Sequence, residues 1–204
     1  MRFKAILISL LFFSSATVFP QKSNCKKFKD LSGPEKCWVM WHPFIAKKAM
    51  KIAEETRKVT KEVMQDKLLN GTGNGNQIDA FRHTFWMANL VIDIGRRRAR
   101  SLGKAHEKGN YKTYKQGKFE DGVVPDKISS EMDLFNNEIG IEIGEIVMPK
   151  YIMDEVLDFI KKGRCKIIKT DESGNFLDVE GNVIQEEELK GKWENEKCLV
   201  DSNQ

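Results

Sequence analysis

The sequence predicts a mainly α protein: a helical bundle built on a central buried helix and a helical hairpin, with a small C-terminal β-hairpin. Three observations carry this. From Ile78 to Ile94 the chain is apolar on most sides of a helical wheel, with Phe81, Phe85, Trp86, Met87, Leu90 and Val91 spread around it. A helix apolar all round is central in its domain. From Pro43 to about Leu69, Ile45, Ala49, Ile52, Thr56, Val59 and Val63 recur at helical spacing, opposite a face of lysine and glutamate. Near the C-terminus, Cys165 to Thr170 and Asn175 to Val179 flank the turn residues Asp171 to Asn175, as the arms of a hairpin would.

Residues 1–20 read as an export signal: Arg2 and Lys4, an apolar run from Ala5 to Phe13, then Ser14, Ser15 and Ala16. The run is too short to span a bilayer as a mature helix. Cleavage near residue 20 predicts a secreted or periplasmic protein with no transmembrane segment in the mature chain. Losing Arg2 and Lys4 lowers the net charge from +4 to +2. That near-neutral balance argues against dedicated nucleic-acid binding. The basic run Arg96-Arg97-Arg98-Ala99-Arg100 reads as a solvated helix face, with contact to anionic lipid or wall polymer as the alternative. The rest divides into a helical domain over 21–163, with its motif core at 70–148, and a β appendage and tail over 164–204. The four cysteines are Cys25, Cys37, Cys165 and Cys198. In an oxidising compartment the local pairs Cys25–Cys37 and Cys165–Cys198 are expected, with free thiols as the alternative. No C-x-x-C pair signals zinc.

In chain order, residues 21–42 are turn-rich, punctuated by Ser32-Gly33-Pro34, with Trp38 and Trp41 expected to cover a core edge. His42 reads as a cap or surface residue, and Pro43 opens a helix at a tolerated position. Asn70 to Gln77 is a glycine–asparagine loop, either a plain connector or a cradle of backbone amides for an ion. Asn70-Gly71-Thr72 also matches a glycosylation sequon.

The buried helix that follows carries Asp79, Arg82 and His83 in its first turns. Asp79 and His83 are four apart, on one face, so the carboxylate can orient the imidazole. Arg82 beside them suits a carboxylate or an anionic substrate group. On one unbroken helix, His83 and His106 would stand roughly 35 Å apart. Gly95 lies twelve residues after His83 and eleven before His106, so a reversal there brings both histidines to one level. The returning arm is expected over Arg96 to Lys108.

Residues 109–128 read as a long loop, a lid anchored by Tyr111 and Tyr114. A third helix is expected from Ser129 or Ser130, with Ser130 and Asp133 as a capping pair. Its apolar stripe is Met132, Phe135, Ile139, Ile143 and Ile146; a second stripe is Asp133, Asn137, Gly140 and Gly144. Those glycines permit close approach, which turns Asp133 and Asn137 toward a neighbouring helix. Pro149 then separates a helix over about Tyr151 to Lys162, and 186–204 reads as a poorly ordered end tied by Cys198.

The ordered motifs NG…DAFRHTFW, AHE and MDLFNNEIG resemble a bacterial domain catalogued as of unknown function (number 6973), over roughly Asn70 to Gly144. The resemblance puts Asp79, Arg82, His83, Trp86, His106, Glu107, Asp133, Asn136, Asn137 and Gly140 at recurring positions. It implies a mostly helical domain, often on exported proteins, and no activity. The 108–129 insert departs from it. A fainter likeness is to bacterial secreted phospholipase A2, in the Arg-His-x-Phe segment facing an aspartate. Thr84 stands where that family has a calcium-binding aspartate, and its interhelical cysteine pair is absent.

Together these residues suggest a secreted hydrolase. His83 or His106 would be the general base, oriented by Asp79, Glu107 or Asp133. Arg82, Asn136 and Asn137 would bind substrate or the oxyanion. A divalent metal version uses His83, His106, Glu107 and Asp133 as ligands. Phospholipid, cell-wall or phosphodiester bonds fit, so an envelope or lipid substrate is expected. No G-x-S-x-G elbow is present. Two alternatives stay open: a non-catalytic exported binding or structural module with a buried polar network, and an interbacterial toxin domain.

Overall fold

The computed structural model describes residues 28–118 and 124–204. The expected leader, Cys25 and the middle of the expected lid therefore lie outside the described residues. Residues 28–30 are helical and belong to a unit spanning Met1–Asp30; Leu31–Gln204 form a second unit, which carries everything that follows. Its elements are α1 (Gly33–Trp41), α2 (Pro43–Gln65), α3 (Gln77–Ile94), α4 (Arg96–Lys115) and α5 (Lys127–Ile146). A 3-10 turn (Pro149–Tyr151), α6 (Ile152–Lys161), β1 (Lys166–Ile168), α7 (Glu186–Leu189) and β2 (Leu199–Asp201) complete it. The protein is mainly α, with one small antiparallel sheet.

Helix α3 is the centre. Its Ile78, Phe81 and Phe85 join Val63, Ile143, Ile152, Val156, Ile160 and Cys165 in one apolar cluster. On its other side Met87, Leu90, Val91 and Ile94 join Trp38, Ala49, Ile52, Leu102 and Ile141 in another. Each Val, Leu, Ile, Phe or Met among them contributes about 1.5–3 kcal/mol on full burial. α5 crosses α3 at backbone distance. A Cβ at Gly140 would collide with the carbonyl oxygen of Thr84, and one at Gly144 would lie 2.5 Å from that of Ala88. The small-residue stripe thus faces α3, as its spacing predicts.

The chain reverses at Gly95, whose φ of 82° is open to glycine and strained for other residues. Gly95 closes α3 through its amide on the Val91 carbonyl, and its own carbonyl accepts from the Ala99 amide. α4 then runs back to Lys115, beyond the expected end at Lys108. Tertiary contacts extend it. Tyr111 and Tyr114 pack on Trp193, with ring centroids 4.8 and 5.1 Å away, and Gly109 lies under Ser32 where a side chain would clash. The two tyrosines therefore belong to a helix, and the connector between α4 and α5 is shorter than expected. Arg96 and Arg100 of the basic run pair with Glu145 and Glu138 on α5.

Three further expectations change. The 33–41 stretch is a helix, started by a capping box in which the Ser32 hydroxyl accepts from the Glu35 amide and the Glu35 carboxylate from the Ser32 amide. Trp38 is buried, whereas Trp41 is 79% exposed. α5 starts at Lys127 with Asp126 as its cap, through the Ser129 amide at 2.8 Å, so Ser130 is already inside the helix. In the apolar stripe of α5, Met132 and Ile143 are buried, while Phe135 and Ile146 are exposed.

The C-terminal segment is tied into the body. β1 pairs antiparallel with β2 at the chain end, in register Lys166↔Asp201, Ile167↔Val200 and Ile168↔Leu199. The expected hairpin turns survive only as single bridges, Thr170↔Phe176 and Leu177↔Val183. The expected Cys165–Cys198 disulfide is not formed; Cys37, Cys165 and Cys198 are free. Register is the reason. Cys165 follows on opposite Ser202 and Lys169 opposite Cys198, whose backbones bond at 2.9 Å. The two sulfurs sit four residues apart along the ladder, about 13 Å, beyond disulfide reach.

Candidate functional site

The glycine–asparagine loop and the first turns of α3 build the site together. Asn76 caps α3 by accepting from the Ile78 amide at 3.0 Å. The preceding amide, Gly75, donates to Asp79 Oδ2 at 2.7 Å, while the Gly75 carbonyl accepts from Ile168 of β1 at 2.7 Å. One loop residue thus aims a carboxylate and ties the site to the sheet. Arg82, one turn on, donates to Asp79 Oδ1 at 2.7 Å.

His83 lies at the centre and is 2% exposed. Its Nε2 is 3.7 Å from Asp79 Oδ1, 3.4 Å from Asp133 Oδ1 of α5 and 3.3 Å from Arg82 Nη2. Its Nδ1 faces Asn137 Oδ1 at 3.3 Å. Burial pushes the imidazole well below its usual range; the charges of Arg82 and His106 push the same way, and the Asn137 contact opposes them. His83 is therefore neutral at physiological pH. With Asn137 Oδ1 accepting, Nδ1 carries the hydrogen and Nε2 presents its lone pair.

The hinge at Gly95 brings His106 to the rim. Its ring centroid is 6.1 Å from that of His83 and 5.6 Å from that of Trp86, and its side chain is 22% exposed. Its Nδ1 meets Glu35 Oε1 at 3.0 Å. Burial raises the Glu35 carboxyl, but the hydrogen bond and charge of His106, with contacts from Ser32, outweigh this and hold it below the usual range.

Two expected members are seen with other partners. Asn136 faces away, into β1: its Nδ2 donates to the Lys166 carbonyl and its Oδ1 accepts from the Lys166 amide, both at 2.9 Å. Adjacent helical residues point about 100° apart, so Asn136 and Asn137 cannot share a face. Glu107 is buried and accepts from Asn110 at 3.1 Å. The metal set expected from His83, His106, Glu107 and Asp133 also changes. Among the described residues, the group whose ligand atoms come within 4.8 Å of one another is Asp79, His83 and Asp133. His106 and Glu107 are not in that group, and Asp79 is, in keeping with its i, i+4 spacing to His83. Glu35 was legible only as half of the Ser32-x-x-Glu35 capping box; nothing local says that it meets His106. Thr84 is buried, its hydroxyl donating to the Asn136 carbonyl at 3.3 Å.

Fold and site together define a mainly α protein with a buried histidine–carboxylate cluster where a central helix meets a glycine-striped partner. The chain belongs to the family described as a domain of unknown function, DUF6973, whose model matches residues 36–164. That stretch contains Asp79, Arg82, His83, His106, Asp133 and Asn137, and begins one residue after Glu35. No curated protein matches the chain, and no solved structure does.

Proposed function

We propose that this protein is a hydrolase of an anionic ester, of the phosphodiester or phospholipid class. His106 takes the proton from the attacking water as the water oxygen bonds to the ester centre, and returns that proton to the leaving oxygen as the ester bond breaks; Arg82 receives the negative charge of the substrate. The observation that carries this reading is the Glu35–His106 pair, 3.0 Å between Oε1 and Nδ1. A carboxylate accepting from Nδ1–H leaves Nε2 as the basic atom and fixes the ring, the arrangement a general base requires. His106 suits that role better than His83, because water reaches it. Arg82, with a side chain 29% exposed and Nη2 3.3 Å from His83 Nε2, offers a planar fork of donors to a phosphate. The export signal read at residues 1–20 would deliver this activity to the cell envelope, where phospholipid is at hand. Fractionation and N-terminal sequencing of the mature protein test that part.

The reaction is tested by assaying purified protein on an aryl phosphodiester, on phospholipid vesicles and on cell-wall polymer. Turnover of one of these is expected to fall by about 10²–10⁴ in His106→Ala, with a smaller loss in Glu35→Gln. Turnover of none by folded protein, or equal turnover by both variants, would sink the reading.

A second reading is favoured by the burial of Asp79, His83, Asp133, Asn136 and Asn137, each at most 6% exposed. These side chains would then form a network holding α3, α5 and β1 in register, without catalysis. It predicts large losses of stability in every variant of the cluster and no turnover on any substrate.

A further inference from the structure

The carboxylates of Asp79 and Asp133 stand from the His83 ring nitrogen at a spacing that suits a shared cation better than a hydrogen bond. A charge-assisted N–H···O⁻ bond closes to about 2.7–2.9 Å. Here the two carboxylate oxygens stand 3.4 and 3.7 Å from Nε2. Around a cation with bonds of about 2.1 Å, tetrahedral neighbours lie roughly 3.4 Å apart.

The outer contacts point the same way. Asn137 Oδ1 faces Nδ1 and so turns the Nε2 lone pair toward both carboxylates. The Gly75 amide holds Asp79 Oδ2, so Oδ1 is the atom turned toward His83. An imidazole and a carboxylate each held through their far atoms is the usual surrounding of a metal site. A lone pair and two anions converging in a buried place repel one another unless positive charge lies among them. Arg82 supplies one such charge, at 2.7 Å from Asp79 Oδ1 and 3.3 Å from His83 Nε2. A divalent cation would place two such charges among the three ligand atoms.

We propose that Asp79, His83 and Asp133 bind one divalent cation, and that Arg82 is the counter-ion this cation displaces. The Arg82 side chain is partly exposed, so its guanidinium has room to swing outward once Asp79 Oδ1 is taken. One imidazole nitrogen and two carboxylate oxygens suit a first-row cation such as Mn²⁺ or Zn²⁺. Ca²⁺ takes six to eight oxygens and is disfavoured. Three protein ligands leave a position for water or for a substrate oxygen. A displaced Arg82 would then be available to an anionic group beside that position. Cation binding here does not depend on the hydrolase reading, and it is measured without substrate, so either fails alone.

The full chain, stripped of metal by chelation, is titrated with Mn²⁺ by calorimetry and by electron paramagnetic resonance. The expected result is one Mn²⁺ per chain, with nitrogen coupling from the His83 imidazole, displaced by Zn²⁺ and not by an equal concentration of Ca²⁺. Asp133→Asn and His83→Ala are expected to abolish it. Arg82→Gln is expected to bind roughly five- to tenfold more tightly, because the competing ion pair is gone. Tighter binding cannot come from misfolding, so this variant is informative where the ligand variants lose stability. Weak binding at several sites, with no nitrogen coupling and unchanged in folded His83→Ala, would overturn the site. Unchanged or weaker binding in Arg82→Gln would overturn the exchange.

Discussion

His83 of α3 and Asn137 of α5 face each other at 3.3 Å, and this contact exists because Gly140, one turn further along α5, has no side chain. A Cβ there would collide with the Thr84 carbonyl and come within 2.9 Å of Met87 Cβ. Gly140→Ala is therefore expected to push the helices apart and to cost about 1–3 kcal/mol or somewhat more, since backbone yields less than side chains. Chemical denaturation measures the loss. The same variant should weaken Mn²⁺ binding, because Asp133 retreats with α5.

Asn136 offers the opposite pattern. Its amide satisfies both backbone groups of Lys166, and Asn136→Ala leaves two such groups without it. A buried polar group left unmade costs about 1–3 kcal/mol. Unfolding should show a loss of that size or larger. Mn²⁺ affinity should stay within about twofold wherever the chain remains folded, since the Asn136 side chain points into β1 and not at the ligand atoms. Abolished cation binding in folded Asn136→Ala would put this residue back in the site.

Cysteine reactivity separates free thiols from disulfides. Cys165 is buried, and burial pushes its thiol up to about 11 despite the Thr84 hydroxyl and Arg164. Cys37 is exposed. Alkylation of native protein at pH 8 is expected to label Cys37 and to spare Cys165 until denaturant is added. Mass spectrometry of peptides without reduction should find no Cys165–Cys198 link.

Acid stability should carry the mark of Asp126. Burial raises its carboxyl, but the charge and hydrogen bond of Lys197, at 2.7 Å, together with Ser129, bring it below the usual range. A carboxylate whose folded value is depressed stabilises above its unfolded value and loses that contribution as pH falls through the folded one. The wild type should therefore lose stability below about pH 4 more steeply than Asp126→Asn. At neutral pH, Asp126→Asn should cost about 3–5 kcal/mol, because Lys197 is left buried without its carboxylate. Thermal melts from pH 3 to 7 test both statements.

Much of this was legible locally. The apolar wheel of Ile78–Ile94 marked the central helix, Gly95 marked the reversal, and the Asp133–Asn137–Gly140–Gly144 stripe marked the face of α5 that meets it. These are properties of helical periodicity and of one glycine's backbone, which act within a few turns. Other features depended on partners far along the chain. Tyr111 and Tyr114 continue α4 because Trp193 packs on them. Asn136 serves β1 rather than the cluster because of where Lys166 arrives. Cys165 and Cys198 stay apart because β1 takes its register from the chain end.

By itself, then, the sequence determined the central helix, the hinge after it and the glycine-striped face of α5, since spacing along a helix dictates which residues share a face. Only the tertiary structure decided that Glu35 holds His106 and that Asn136 serves β1. Contacts between segments dozens of residues apart are selected by packing of the whole core, which no local pattern encodes.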